Sequence, residues 1–169
     1  MRETPRDLER LQTLLDESID QAGPFLRASF QMPEHSLSAA QLAAHLDGSL
    51  TVALGTVTAR GEPRVAPIGA LFLRGAFCMP TVAEAARARH LARRPGASLT
   101  YFEGTDLAVI AHGDATIIDL NHPDFVEVDA TQVACGSGSI RDWSGRGIYV
   151  RLQPAKLYTY ARHPGRVRA

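Results

Sequence analysis

The sequence predicts a mainly β domain, six antiparallel strands closed into a barrel with helices on its flanks, and three observations predict it. From Thr51 onward the apolar residues alternate with a period of two in short runs. Arg60-Gly61 and Arg74-Gly75 punctuate the first runs as tight hairpin turns do. About six such runs in a chain of 169 residues favour a closed barrel over an open sheet, because closure leaves no sheet edge exposed.

Before the strands the period is helical. Thr4 or Asp7 caps a first helix in which Leu8, Leu11, Leu15 and Ile19 form one stripe with Leu14 beside it, and Gly23-Pro24 ends it. Phe25 to Glu34 reads as irregular. Ser38 then caps a short helix from Ala39 to Leu46 that Gly48 closes. Residues 1–48 therefore read as a helical extension whose apolar stripe must lie on a barrel or a partner subunit, and residues 49–169 as the barrel domain.

In the first strand Val52, Leu54, Thr56 and Thr58 alternate with Ala53, Gly55, Val57 and Ala59. The second strand runs from about Arg64 to Leu73, and the third holds Phe77-Cys78-Met79. Thr81-Val82-Ala83-Glu84 has the spacing of a capping box and predicts a helix reaching Arg94, where Pro95 stops it. Strands follow at Ala97 to Glu103 and Leu107 to Asp119, joined by a turn at Gly104-Thr105-Asp106. A short helix is expected near Pro123, and the glycine- and serine-rich stretch from Ala134 to Gly147 reads as a long loop that includes Gly136-Ser137-Gly138. Ile148 to Ala161 is the last strand, with Pro154 marking a bulge or an edge position.

Composition excludes several classes. Acidic and basic residues balance at 18 each, so nothing global favours nucleic acid. No stretch is long and apolar enough to span a membrane, and the charged N-terminus lacks the pattern of a secretory signal, so the expected location is cytoplasmic. Cys78 and Cys135 match no zinc or redox spacing, and the six histidines form no HxxxH or HExxH pair, so no metal site is expected. His112 interrupts an apolar strand, where a core histidine bonded to backbone is expected, and His90 reads as a solvent-facing or packing residue. Lys156 is the only lysine. Arginine suits bidentate phosphate recognition better than lysine does.

The helix after Met79-Pro80 is where chemistry is expected. Its first turn offers free N–H groups and the positive end of the helix dipole, which attract an anion. Arg87 points back toward that end because helical side chains tilt N-terminally. Thr81 adds a hydroxyl and Arg64 on the neighbouring strand a second guanidinium, while Glu84 in the expected first turn opposes an anion. A phosphate monoester fits these donors. Arg87, Arg89, Arg93 and Arg94 also fit a plain solvated helix face, and the residues alone leave the two readings open.

Three pieces in order carry a family resemblance: T-V-x-x-x-G-x-P at Thr56 to Pro63, V-x-P at Val65 to Pro67, and R-A-R-H-L-x-R-x-P at Arg87 to Pro95. The closing run from Tyr149 to Arg168 adds to it. Over roughly Leu50 to Arg168 the chain resembles the pyridoxamine 5′-phosphate oxidase-like flavoproteins and their deazaflavin-using relatives, which share the FMN-binding split-barrel fold. The resemblance implies a homodimer with FMN between the subunits. It implies that Arg64, Val65, Ala66 and Pro67 line the isoalloxazine, that Met79, Pro80 and Thr81 lie along the ribityl chain, and that Arg87 holds the phosphate. Trp143, Tyr160 and Arg166 would reach the cofactor of the partner subunit.

Departures narrow the function. Ala85 and Ala86 stand where the family often has serine and arginine, the strand from Leu107 to Gly113 lacks the oxidase's glutamine and arginine, and Arg168 replaces a histidine of its substrate-binding tail. The expectation is an FMN-dependent oxidoreductase acting on a small-molecule substrate other than pyridoxamine phosphate. The alternatives are F420, whose polyglutamate tail would suit Arg89, Arg93 and Arg94, and a non-catalytic flavin- or haem-binding protein. No side chain identifies itself as an essential acid or base, so no catalytic residue is assigned.

Overall fold

In the computed structural model, which describes residues 2–169, the chain enters on helix α1 (Pro5–Asp20). Thr4 is the cap: its hydroxyl accepts from the Asp7 N–H at 3.2 Å, and the Asp7 carboxylate accepts from the Thr4 N–H at 3.0 Å. Helix α2 (Pro24–Phe30) occupies part of the stretch expected to be irregular. Pro24 is preorganised for its first turn, but none of its residues is buried, so no apolar period announces it. Helix α3 (Ala39–His45) starts at Ser38, which forms a second capping box with Gln41.

Six strands follow as expected: β1 (Leu50–Val57), β2 (Pro63–Leu73), β3 (Ala76–Val82), β4 (Gly96–Glu103), β5 (Leu107–Ile118) and β6 (Gly147–Ala161). They close in the order β1-β2-β3-β6-β5-β4, and every pairing is antiparallel. Arg74 and Gly75 both have positive φ, 52° and 80°, which gives the hairpin twist between β2 and β3. The seam between β1 and β4 is short, running only from Ala53 opposite Thr100 to Gly55 opposite Ser98. Pro154 faces Gly113 where the β5–β6 register shifts, so the expected bulge is present. Gly113 is required there, since a Cβ would lie 2.9 Å from Pro154 Cα.

Leu50, Val52, Leu54 and Thr56 turn inward along β1, and Leu11, Leu15, Leu42 and Leu46 of the N-terminal helices join the same continuous core. Each such leucine, fully buried, contributes about 1.5–3 kcal/mol. α1 also completes the sheet's hydrogen bonding, since Ser18 Oγ accepts from Leu157 N at 2.9 Å. Helix α5 (Phe125–Ala134) starts just beyond Pro123 and packs Phe125 and Val128 outside the barrel on Leu71, Cys78, Ile118 and Tyr149. Its buried Asp129 accepts from Tyr149 Oη at 2.9 Å, Ser139 Oγ at 2.7 Å and Ile140 N at 3.1 Å, which ties down the loop before β6. The loop contains a 3-10 turn at Ile140–Asp142, and a second one lies at Pro164–Arg166.

One local expectation is corrected. Helix α4 (Ala86–Arg93) begins four residues later than the T-x-x-E spacing predicts. Thr81 is instead a buried residue of β3 opposite Ile148, because pairing with β6 outweighs a local capping signal. Arg94, at the far end, leaves the helix with extended backbone before Pro95.

Candidate functional site

The inward face of the β1–β2 hairpin and the start of α4 enclose a cavity of about 470 Å³. Residues of even number on β1 face inward, and the register places Leu54 opposite Ala66 and Thr56 opposite Arg64. These four residues, with Val65 and Thr58, form the strand wall, and Ala85, Ala86, Arg87 and His90 form the helix wall. One end of the cavity is apolar and the other is rich in donors.

No side chain caps α4, because its N-cap residue is Ala85. The first hydrogen bond of the helix runs from Arg89 N to Ala85 O at 3.2 Å, so the N–H groups of Ala86, Arg87 and Ala88 precede the ladder. Arg87 stands in this first turn. Among the described residues it has neither an acidic partner nor a hydrogen bond. The neighbouring arginines are engaged: Arg64 donates to Glu62 at 2.7 Å, Arg89 to Glu84 O at 2.6 Å, and Arg94 to Ala59 O at 3.1 Å. Glu84 is exposed and lies before the helix, so no carboxylate opposes an anion in the first turn.

Of the residues the sequence singled out, Arg64, Val65, Ala66 and Arg87 meet in this cavity. Pro67 lies on the exposed face of β2, opposite Ala53. Met79 is fully buried in the barrel core, and neither it nor Pro80 nor Thr81 lines the cavity. Trp143 follows the Ile140–Asp142 turn and is partly exposed. Tyr160 stacks on His35 at 5.6 Å and meets Phe30 edge-on at 5.9 Å. Arg166 lies beside Ala44, His45 and Arg168, away from the cavity residues.

Thr56, Thr58 and His90 are cavity residues that sequence reasoning missed. The signal was available for two of them, since Thr56 and Thr58 share the strand face of Leu54. His112 is not a core histidine: it is exposed, with Nδ1 2.7 Å from Ser98 Oγ. Burial pushes the Cys78 thiol up to about 12, which keeps it from acting as a thiolate. No group of three or more metal-ligating side chains occurs among the described residues, and no helix among them is long and apolar enough to cross a membrane.

The sequence matches the family described as pyridoxamine 5′-phosphate oxidase over residues 38–145. Among curated proteins none matches it. Among solved structures, the conserved hypothetical protein Rv2991 of Mycobacterium tuberculosis superposes with a TM-score of 0.67 at 18% identity, over 81% of this chain and 93% of that one. HutZ, the haem storage protein of Vibrio cholerae, does so with a TM-score of 0.59 at 20% identity, over 71% and 91%. A pyridoxamine 5′-phosphate oxidase-related, FMN-binding protein of Nostoc punctiforme gives 0.51 at 16% identity, over 87% and 88%. At these identities the likeness shows a shared fold.

Proposed function

The chain belongs to the pyridoxamine 5′-phosphate oxidase family, and from that premise we propose that it is an FMN-dependent oxidoreductase. The observation that carries this reading is the uncapped first turn of α4, with the unpaired Arg87 guanidinium beside it, facing an apolar strand wall across one cavity. A phosphate monoester satisfies open N–H groups and a guanidinium together. The inward side chains of Leu54 and Ala66 suit a ring system at the other end of the same ligand. Bound FMN would supply the hydride or electron transfer. The chain's own work is then to anchor the phosphate through Arg87 and the α4 N–H groups, and to place the ring along β2.

Arg89 and Arg94 each give one donor to a main-chain carbonyl, whereas the uncapped first turn and Arg87 suit a phosphate monoester, and we favour FMN over F420 on that ground. The substrate would be a small acceptor other than pyridoxamine phosphate, because Ala108 and Ile110 of β5 offer no polar contact.

A second copy of the chain completes this reading. α5 covers the outside of the barrel over β3 and neighbouring strands. The register rows Pro67, Ala53, Thr100, Ile110 and Val65, Gly55, Ser98, His112 run across four other strand segments of the outer surface. These rows hold no side chain of fixed charge, and Val65 is 72% exposed. A dimer built on this face would lie on the outer side of the strands that wall the cavity, with Tyr160 at its margin and Trp143 and Arg166 as further candidates to reach the partner's cofactor.

Absorbance of the purified protein and titration of the cofactor-free protein test the proposal. Flavin bands with saturable FMN binding are expected, and Arg87→Ala should weaken binding by about 1.5–3 kcal/mol, roughly ten- to hundredfold. A single near-violet band would assign F420 instead, and a Soret band haem. A colourless protein that binds none of these overturns the cofactor reading.

A further inference from the structure

His90 stands three residues beyond Arg87 on α4, and both line the cavity. Residues at i and i+3 share a helix face with Cβ atoms about 5–6 Å apart, and helical side chains lean toward the N-terminus. His90 therefore overlies the same open first turn as Arg87. Its Nδ1 lies 3.1 Å from Oγ1 of Thr56 on β1.

Thr56 is only 5% exposed, and among the described residues its hydroxyl has no other hydrogen-bond partner. Among the described residues the acceptor within reach of this O–H is Nδ1, and donation from Thr56 Oγ1 to Nδ1 is the premise of the proposal below. A neutral imidazole that accepts at Nδ1 carries its proton on Nε2. Nε2 has no protein partner among the described residues. The Thr56–His90 pair thus leaves one uncharged N–H donor at the cavity, next to the unpaired guanidinium of Arg87.

Resting on the FMN reading above, we propose that His90 is a second ligand for the phosphate end of the cofactor, and that Thr56 is a positioning residue that holds His90 in the donating tautomer. A phosphate has three terminal oxygens. A bidentate Arg87 engages two of them, which leaves the helix N–H groups and His90 Nε2 for the rest. The donor is neutral, so it adds direction to the site without a further charge that must be compensated when the cavity is empty.

Long-range 1H–15N correlation of histidine-labelled, full-length protein at about pH 8, above the ordinary histidine value of about 6.5, tests the tautomer directly. The expected spectrum shows His90 protonated at Nε2 and bare at Nδ1, with Thr56→Val giving a mixture. Fluorescence titration should show His90→Leu weakening FMN about tenfold, while His90→Gln, which keeps an N–H donor, stays within about threefold of the native chain. Riboflavin, which lacks the phosphate, should bind all three proteins alike. A native Nδ1–H tautomer, or equal losses of FMN and riboflavin in His90→Leu, would overturn the proposal. If the native chain binds no FMN, the cofactor reading fails by itself and inorganic phosphate decides the rest: a shift of the His90 Nε2 signal upholds the ligand role, and its absence overturns it.

Discussion

Replacing Gly113 by alanine places a Cβ 2.9 Å from Pro154 Cα, against backbone that the β6 bulge holds in place. The clash involves main chain, so no side-chain rotamer relieves it. We expect Gly113→Ala to destabilise the fold by at least about 1–3 kcal/mol, measured by urea unfolding. Asp7 is a second residue whose role is local. Thr4 donates to its carboxylate from both the hydroxyl and the N–H, and Arg10 lies 3.2 Å away, which together hold it below the ordinary value of 3.8. A carboxyl lowered in the folded state contributes stability that is complete above the unfolded value and is lost as pH falls through the native one. Urea midpoints at about pH 6 and pH 3 should therefore differ less in Asp7→Asn than in the native chain.

At the scale of elements, α4 starts without a side-chain cap, as α2 and α5 do, and of these three it is the one whose first turn lines the cavity of Thr56 and Arg64. Aspartate at the N-cap position favours a helix by about 0.5–2 kcal/mol over alanine, but it would fill the N–H groups and the electrostatic position that a phosphate needs. Ala85→Asp should accordingly raise the urea midpoint of the cofactor-free protein while lowering FMN affinity at least about tenfold. Opposite signs in the two measurements distinguish this from general damage. The same helix shows how far the sequence could be read. Its arginines and its end before Pro95 were legible, because they follow from local rules. Its start was not, because Thr81 obeys a partner some 67 positions away, Ile148, and the T-x-x-E spacing carries no trace of that pairing. Ala85 and Ala86 looked like losses in the sequence, since each removes a side-chain donor. In the fold they leave the first-turn N–H groups uncovered. α2 was missed for the opposite reason: it packs too little surface to leave an apolar pattern.

Across the whole molecule the strand count and closure were legible from alternation and turns, while the register was not. Register is what gathers Thr56, Arg64 and His90 around one cavity and lays Ile110 beside Thr100 on the uncovered outer face. If two copies meet on that face, Ile110→Arg places a charge on it and should shift the protein from dimer to monomer at micromolar concentration, as read by sedimentation velocity. The circular dichroism spectrum should stay unchanged, because Ile110 points away from the barrel core. A dimer that persists in this variant would place the contact elsewhere.

The barrel has two narrow joints: β2–β3, paired only from Leu71 to Leu73, and the β1–β4 seam beside the cavity. Only the residues from Ala53 to Gly55 are joined there to Thr100 through Ser98, and Thr56 and Val57 continue along the hairpin without a β4 partner. Local opening costs least where few paired residues must part, so the seam is one place where transient fluctuations reach the rim of the cavity. A ligand seated against α4 and the hairpin would tie the β1 side of the seam to the helix that leads into β4. Occupancy would then be felt as slower exchange of the amide protons that flank the seam on β1 and β4.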